Sequence, residues 1–298
     1  VIGAGAGNIK RGYDLRLLTV KMPKNHNWFL PSDKHTGSLF SSQSGWEKFC
    51  RTVTKSYDGC KNNAIAELGD IHEAITVDDK RFAADMLNQP APLEQLEVAK
   101  RERERLAKYY KVILSGNHDD KLWRFGNLVQ NLCNYLGCEY GTYTCKVSVV
   151  DDDGNLMYKM FLTHGYGSIR SVADDPVRRE ANMKLGLKRK LQHKATDCAV
   201  EAMGHTHRLM IVPPKRELYL TDDGKRINQH YTGYDQNAPY IHPDNRWYVN
   251  TGSFCRLYVE GVSGYAERAG YDPMEIGFPI LRVRDGKIQG IDPIYLDV

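Results

Sequence analysis

The chain has 298 residues, 41% of them hydrophobic, and a formal net charge of +4. That size supports one large α/β domain or a core with a cap, and the mild charge permits an anionic substrate without demanding nucleic acid. Seven cysteines, odd in number and without a CxxC pair, argue against a disulfide framework or a zinc knuckle. No apolar run reaches the roughly 18 residues of a membrane span and no signal peptide is visible, so a soluble, cytoplasmic protein without membrane association is expected. The chain begins on Val1, so nothing is concluded about what precedes it.

Residues 1–14 read as a flexible Gly-rich lead-in. Val-Ile-Gly-Ala-Gly-Ala-Gly tempts a dinucleotide-binding assignment, but little of the given chain precedes it and Asn8 to Gly12 is a poor helix start. A strand is predicted from Leu15 to Met22. Trp28-Phe29-Leu30 runs into Pro31-Ser32-Asp33, and a helix follows over Ser44 to Tyr57. Ile65 to Leu68 leads to Gly69-Asp70. A second helix is predicted over Leu93 to Tyr110, with Lys100 to Arg105 as a solvated face of mixed charge. Val112-Ile113-Leu114 ends at Ser115-Gly116-Asn117, Met160-Phe161-Leu162 at Thr163-His164, Cys198 to Met203 at Gly204-His205, and Trp247-Tyr248-Val249 at Asn250 to Ser253. Asp151 to Gly154, Asp222 to Gly224 and Asp285-Gly286 read as hairpin turns. Alternating strands and helices favour a layered α/β architecture over 15–298, with an insertion at about 208–246.

The polar strings at these strand ends carry the chemistry. Asp33-Lys34-His35, Gly69-Asp70, Gly116-Asn117-His118-Asp119, Thr163-His164-Gly165 and Gly204-His205-Thr206-His207 supply two Asp, four His and one Asn, with His118 left over. That inventory suits a pair of divalent cations gathered at the carboxyl ends of strands. Asp70, on a tight turn in the middle of the set, is the natural bridge. Oxygen and nitrogen donors without thiolate fit Mn²⁺, with Fe or Zn²⁺ as alternatives. A metal-bound water acidified toward neutrality gives a hydroxide nucleophile for in-line attack on phosphorus. His118, beside Asn117, is placed to protonate the leaving alkoxide, and Asp119 to fix its tautomer.

In these residues the chain resembles the calcineurin-like metallophosphoesterases, whose signature runs D-x-H, G-D, G-N-H-[D/E], H, G-H-x-H. The match spans residues 33 to 207, and Asn250 to Ser253 resembles a further family element. The resemblance implies a β-sandwich flanked by helices. It also implies one metal on Asp33, His35, Asp70 and His207, a second on Asp70, Asn117, His164 and His205, and His118 as the acid. Two positions depart from the pattern. Ile71-His72-Glu73 follows Asp70, with His72 expected in an exposed supporting position or none, and Tyr166 stands where many members carry a second His.

Around the site, Arg178 to Lys194 reads as a solvated helix face, with a phosphate-tracking patch as the rival. Tyr219, Tyr231, Tyr234 and Tyr240 interleave with Lys215, Arg216, Arg226 and His230. Base stacking and an ordinary hairpin are equal readings of that pattern. Arg124 and Arg170 are candidate contacts to substrate phosphate. The expected activity is two-metal phosphoesterase, with a phosphodiester (nucleic acid or a nucleotide derivative) as the favoured substrate. A phosphomonoesterase or protein phosphatase of the same fold is the alternative, and a non-catalytic scaffold the remaining one.

Overall fold

The computed structural model describes residues 15–233 and 235–296. The Gly-rich lead-in at 1–14 and Tyr234 lie outside the described residues. In chain order the elements are β1 (Arg16–Lys21), β2 (His26–Phe29), α1 (Gln43–Val53), β3 (Asn63–Glu67), α2 (Pro92–Glu104), β4 (Tyr110–Ile113) and α3 (Asn117–Lys121). There follow α4 (Leu128–Leu136), β5 (Glu139–Tyr140), β6 (Thr144–Val150), β7 (Leu156–Thr163), α5 (Pro176–Leu191), β8 (Val200–Met203), β9 (Leu209–Val212), β10 (Leu218–Asp222) and β11 (Ile227–Tyr231). The chain closes with β12 (Trp247–Thr251), α6 (Tyr265–Arg268), β13 (Gly277–Arg284) and β14 (Lys287–Tyr295).

The strands form two mixed six-stranded sheets, ordered β1-β6-β7-β8-β12-β9 and β14-β13-β2-β3-β4-β5, with β10-β11 as a separate hairpin. Inward-facing residues of both sheets share one apolar cluster, including Leu18, Val20, Trp28, Ala66, Val147, Met160, Val249 and Leu281. Strands β3, β4 and β8 are buried on both faces, one against the opposite sheet and the other under helices, which is why their apolar residues do not simply alternate with solvated ones. The outer face of the second sheet packs Phe29, Ile65, Ile113 and Ile280 against α1, α2 and α4. The outer face of the first sheet packs Phe161, Met203 and Tyr248 under α5. The result is a helix–sheet–sheet–helix stack, as the layered α/β expectation required.

Local sequence accounts for the helix boundaries. Ser42 caps α1 by accepting from Gly45 N–H, and Trp46, Phe49, Cys50 and Val53 recur at i, i+3, i+4 and i+7 to make its buried stripe. The helix ends at Val53, four residues before the predicted end. Helix α2 starts on Pro92 and stops at Glu104; a 3₁₀ turn at Ala107–Tyr109 then hands the chain to β4. Its Lys100 to Arg105 run is not purely a solvated face. Arg103 is fully buried and pairs with Glu67 through Nη2–Oε1 at 2.6 Å and Nε–Oε2 at 3.0 Å. Its guanidinium lies 4.7 Å from the Trp46 ring centroid, which joins α2 to α1 behind β3. Helix α5 is capped by Asp175 and buries only Leu187 and Leu191; most of its basic residues face outward, while its Arg179 lines a cavity beside the predicted ligand residues.

Three predicted hairpin turns join β6 to β7, β10 to β11, and β13 to β14. Among the described residues no helix is long and apolar enough to cross a membrane.

Candidate metal centre

Strands β2, β3 and β4 are mutually parallel, as are β7, β8 and β12, so their carboxyl ends lie along one edge of the stack. The loops leaving those ends carry every predicted metal-ligand candidate. They are stitched together by backbone bonds: Asp33 N–H donates to Gly69 O at 3.0 Å and His35 N–H to Asp70 O at 3.0 Å. The carboxylates are aimed in the same way. Asp70 Oδ1 accepts from the backbone N–H of His118 at 2.8 Å, and Asp33 Oδ2 from that of His205 at 3.0 Å.

Asp33, His35, Asp70, His205 and His207 all adopt left-handed backbone, with φ between 49° and 71°. Non-glycine residues seldom sit there, and each instance costs roughly 1–3 kcal/mol unless the surroundings impose it. Five in one cluster mark a site whose side-chain directions are fixed at the expense of backbone comfort. Gly116 and Gly204 are required for another reason: a Cβ on Gly116 would collide with the Asp70 carboxylate, and one on Gly204 would meet Asp33 Oδ2 at 2.8 Å.

The donor atoms converge. His207 Nε2 is 3.2 Å from Asp33 Oδ1, and Asp70 Oδ2 is 3.7 Å from His35 Nε2 and 3.3 Å from His164 Nε2. Asn117 Oδ1 lies 2.6 Å from His205 Nδ1 and 3.1 Å from His164 Nε2. Three overlapping groups result: Asp33, His35 and His207; His35, Asp70 and His118; Asp70, His164 and His205. Asp33 Oδ1 and His35 Nε2 are buried without a hydrogen-bond partner. Orphaned polar atoms are costly in a dry interior, and a cation among these groups removes the cost. These buried His and Asp residues fit a metal ion.

The carboxylates set the protonation of the ring nitrogens around them. Burial opposes charge on His35, but Glu73, Asp70 and Asp33 outweigh it and raise its pKa to about 9. Burial likewise opposes charge on His164, yet Asp70 raises it to about 10. Burial also works against ionised Asp70, and the surrounding histidines still hold it well below the usual carboxylate range. His118 goes the other way, lowered by burial and by the nearby His35.

The neighbours of the cluster are arranged differently from the sequence expectation. Asp119 does not contact the His118 ring. Its carboxylate accepts from the backbone of Gly116 at 2.8 Å, Ile71 at 3.2 Å and His72 at 3.0 Å, and pairs with His72 Nδ1 at 2.8 Å. A carboxylate at the first turn of α3 is better used on free amides than on a ring already served elsewhere. The group that fixes His118 is the Glu73 carbonyl, 2.5 Å from Nδ1. His72, expected exposed if it had any role, is fully buried against Asp119. Sequence reasoning also missed Glu73 itself, whose carboxylate is 2.9 Å from His35 Nδ1. Its position three residues after Asp70 was the available signal.

A cavity of about 1040 Å³ opens beside the cluster. It is lined by Asp70, Asn117, His118, His205 and His207, by segments 167–174 and 255–257, and by part of 264–274. Arg170 lines it, as does Arg81, which was not anticipated and whose Nη1 is 3.4 Å from His118 Nε2. Arg124 is outside that lining, paired with Asp78 at 2.6 Å. Among the described residues of the 208–246 insertion only Arg208 lines the cavity; the β10-β11 hairpin stands exposed, with His230 stacked on Tyr219 at 5.3 Å. Asn250 donates to Thr206 Oγ1, which ties the Asn250 to Ser253 string to the His205–His207 turn. No protein-family model matches the chain, and no curated protein matches it.

Proposed function

We propose that the chain is a calcineurin-like metallophosphoesterase, a two-metal hydrolase of phosphate esters with a phosphodiester as the favoured substrate. The observation that carries this reading is the place of Asp70: one oxygen, Oδ2, faces His35 on one side and His164 on the other. Asp33, His35, Asp70 and His207 would hold one cation, and Asp70, Asn117, His164 and His205 the second. Two divalent cations, Mn²⁺ first and Fe or Zn²⁺ as alternatives, would supply an acidified water and positive charge for a phosphoryl group when bound.

The chain's own residues do the rest. The His118 Nδ1–H donates to the Glu73 carbonyl, which fixes the ring and leaves Nε2, on the cavity side where it accepts from Arg81 Nη1, as the nitrogen that would take up a proton and pass it to the leaving alkoxide. The His164 Nδ1–H donates to the Leu68 carbonyl at 2.8 Å, leaving Nε2 for the cluster. The cavity, about 1040 Å³, leaves room for groups on both sides of a scissile phosphate, which favours a diester.

The test is metal content together with turnover of bis-p-nitrophenyl phosphate and p-nitrophenyl phosphate in Mn²⁺. The expected result is bound metal and diester turnover, lost by about 10²- to 10⁴-fold in His118→Ala while metal content is retained. Monoester turnover alone overturns the diester preference. Protein that stays metal-free with Mn²⁺ supplied overturns the whole reading.

A further inference from the structure

The cavity lining brings together two segments distant in sequence, the loop after β7 and the stretch between β12 and β13. Arg170 lies six residues beyond His164, on the loop that leaves β7. Its guanidinium sits 5.8 Å from the ring centroid of Tyr271, and both residues line the cavity. Next to Tyr271, Asp272 faces Arg208 at 4.0 Å, and Arg208 follows the candidate ligand His207. A second ring under a cation, Tyr166 with Lys190 at 4.3 Å, stands two residues beyond His164. Tyr271 is 42% exposed as a residue, so it is not a core residue that happens to border the space.

An exposed aromatic ring beside an arginine, at the rim of a cavity that also holds a candidate metal centre, is suited to one kind of ligand. The ring offers a face to a flat base, and the guanidinium offers charge to the adjoining phosphate. We propose that Tyr271 and Arg170 form a nucleotide subsite, taking a base and its phosphate next to the scissile diester, so that the substrate is a single nucleic-acid strand. This rests on the phosphoesterase reading of the adjacent cluster. A bare phosphate ester or a phosphorylated side chain has no use for the ring, whereas a splayed strand does.

The test follows fluorescence anisotropy of a fluorescein-labelled oligothymidylate of about 12 nucleotides. It uses His118→Ala protein supplied with Mn²⁺, in which turnover is slow. Adding Tyr271→Ala is expected to weaken binding by about 5- to 100-fold, the range of one lost base stack, and Tyr271→Phe to restore it. Arg170→Ala is expected to weaken binding and to flatten its salt dependence by about one phosphate contact. An abasic strand of the same length should bind weakly and be indifferent to Tyr271→Ala. The subsite is overturned if Tyr271→Ala binds the oligothymidylate as tightly as its parent, if the abasic strand binds as tightly as the base-bearing one, or if a phosphoserine peptide binds more tightly than either. Turnover of bis-p-nitrophenyl phosphate by the unmodified protein separates the two failures: with turnover present, only the subsite falls.

Discussion

The carboxylate of Glu73 lies 2.9 Å from Nδ1 of His35, and the same residue's carbonyl takes Nδ1 of His118. One residue therefore sets the ring of a candidate ligand through its side chain and that of the candidate acid through its backbone. The two functions separate by mutation. Glu73→Ala keeps the carbonyl and removes the partner of His35, so Mn²⁺ affinity should fall by about 10- to 100-fold. Glu73→Gln keeps an acceptor and should lose less. Calorimetric Mn²⁺ titration decides it; unchanged affinity in Glu73→Ala would show that His35 needs no such support.

Asp119 is a stability residue rather than an orienter of the acid. Its two oxygens serve three backbone amides and the buried His72, and they join the start of α3 to the turn after β3. Asp119→Ala leaves those amides without an acceptor in a buried place and should cost about 3 kcal/mol in urea unfolding. The protein that remains folded should keep the parental pH profile of turnover. A shifted profile with full stability would restore the role expected from sequence.

Gly116 gives a metal-specific test. A Cβ at this position collides with the side chain and backbone of Asp70, the one residue placed between both halves of the cluster. Gly116→Ala should therefore lower metal content while far-ultraviolet circular dichroism stays near the parent's. Full metal loading by elemental analysis would mean that Asp70 can shift without losing its place.

Much of this site was legible because its donors follow apolar strands one after another. Asp33, Asp70, Asn117, His164 and His205 sit where β2, β3, β4, β7 and β8 release the chain, and parallel pairing brings those ends together. What sequence left hidden depends on directions rather than residue types. Asp119 stands next to His118 in sequence, yet the first turn of α3 points its carboxylate at amides of the neighbouring loop. Arg103 reads as one more charge in a solvated run, but the helical phase turns it inward onto Glu67. Arg81 is brought beside His118 from 37 residues away by a loop with no regular period. In the fold, α4 carries a clear apolar stripe that was available to reading, whereas β13 and β14 acquire their places only through pairing with β2 and with each other.

A last prediction concerns a buried histidine far from the cluster. His26 is fully buried at the start of β2; its Nδ1–H donates to Pro23 O at 2.6 Å. Its Nε2 accepts from the Tyr158 hydroxyl at 2.6 Å, and that oxygen accepts from Trp28 Nε1 at 2.9 Å. The chain of donors closes only with a neutral ring, and burial lowers the pKa to about 4. The unfolded chain takes up this proton near 6.5, the folded one only near 4, so the unfolded state binds more protons between those values. Stability should be level above about pH 6.5 and should fall as pH drops toward 4, by up to about 3 kcal/mol from this group. His26→Leu should remove about one proton from the slope of unfolding free energy against pH in that window. Tyr158→Phe should cost about 1–3 kcal/mol at pH 7, because it strands Nε2 and the Trp28 N–H. Urea unfolding at several pH values measures all three quantities, and an undiminished acid slope in His26→Leu would place the source of acid sensitivity elsewhere in the fold.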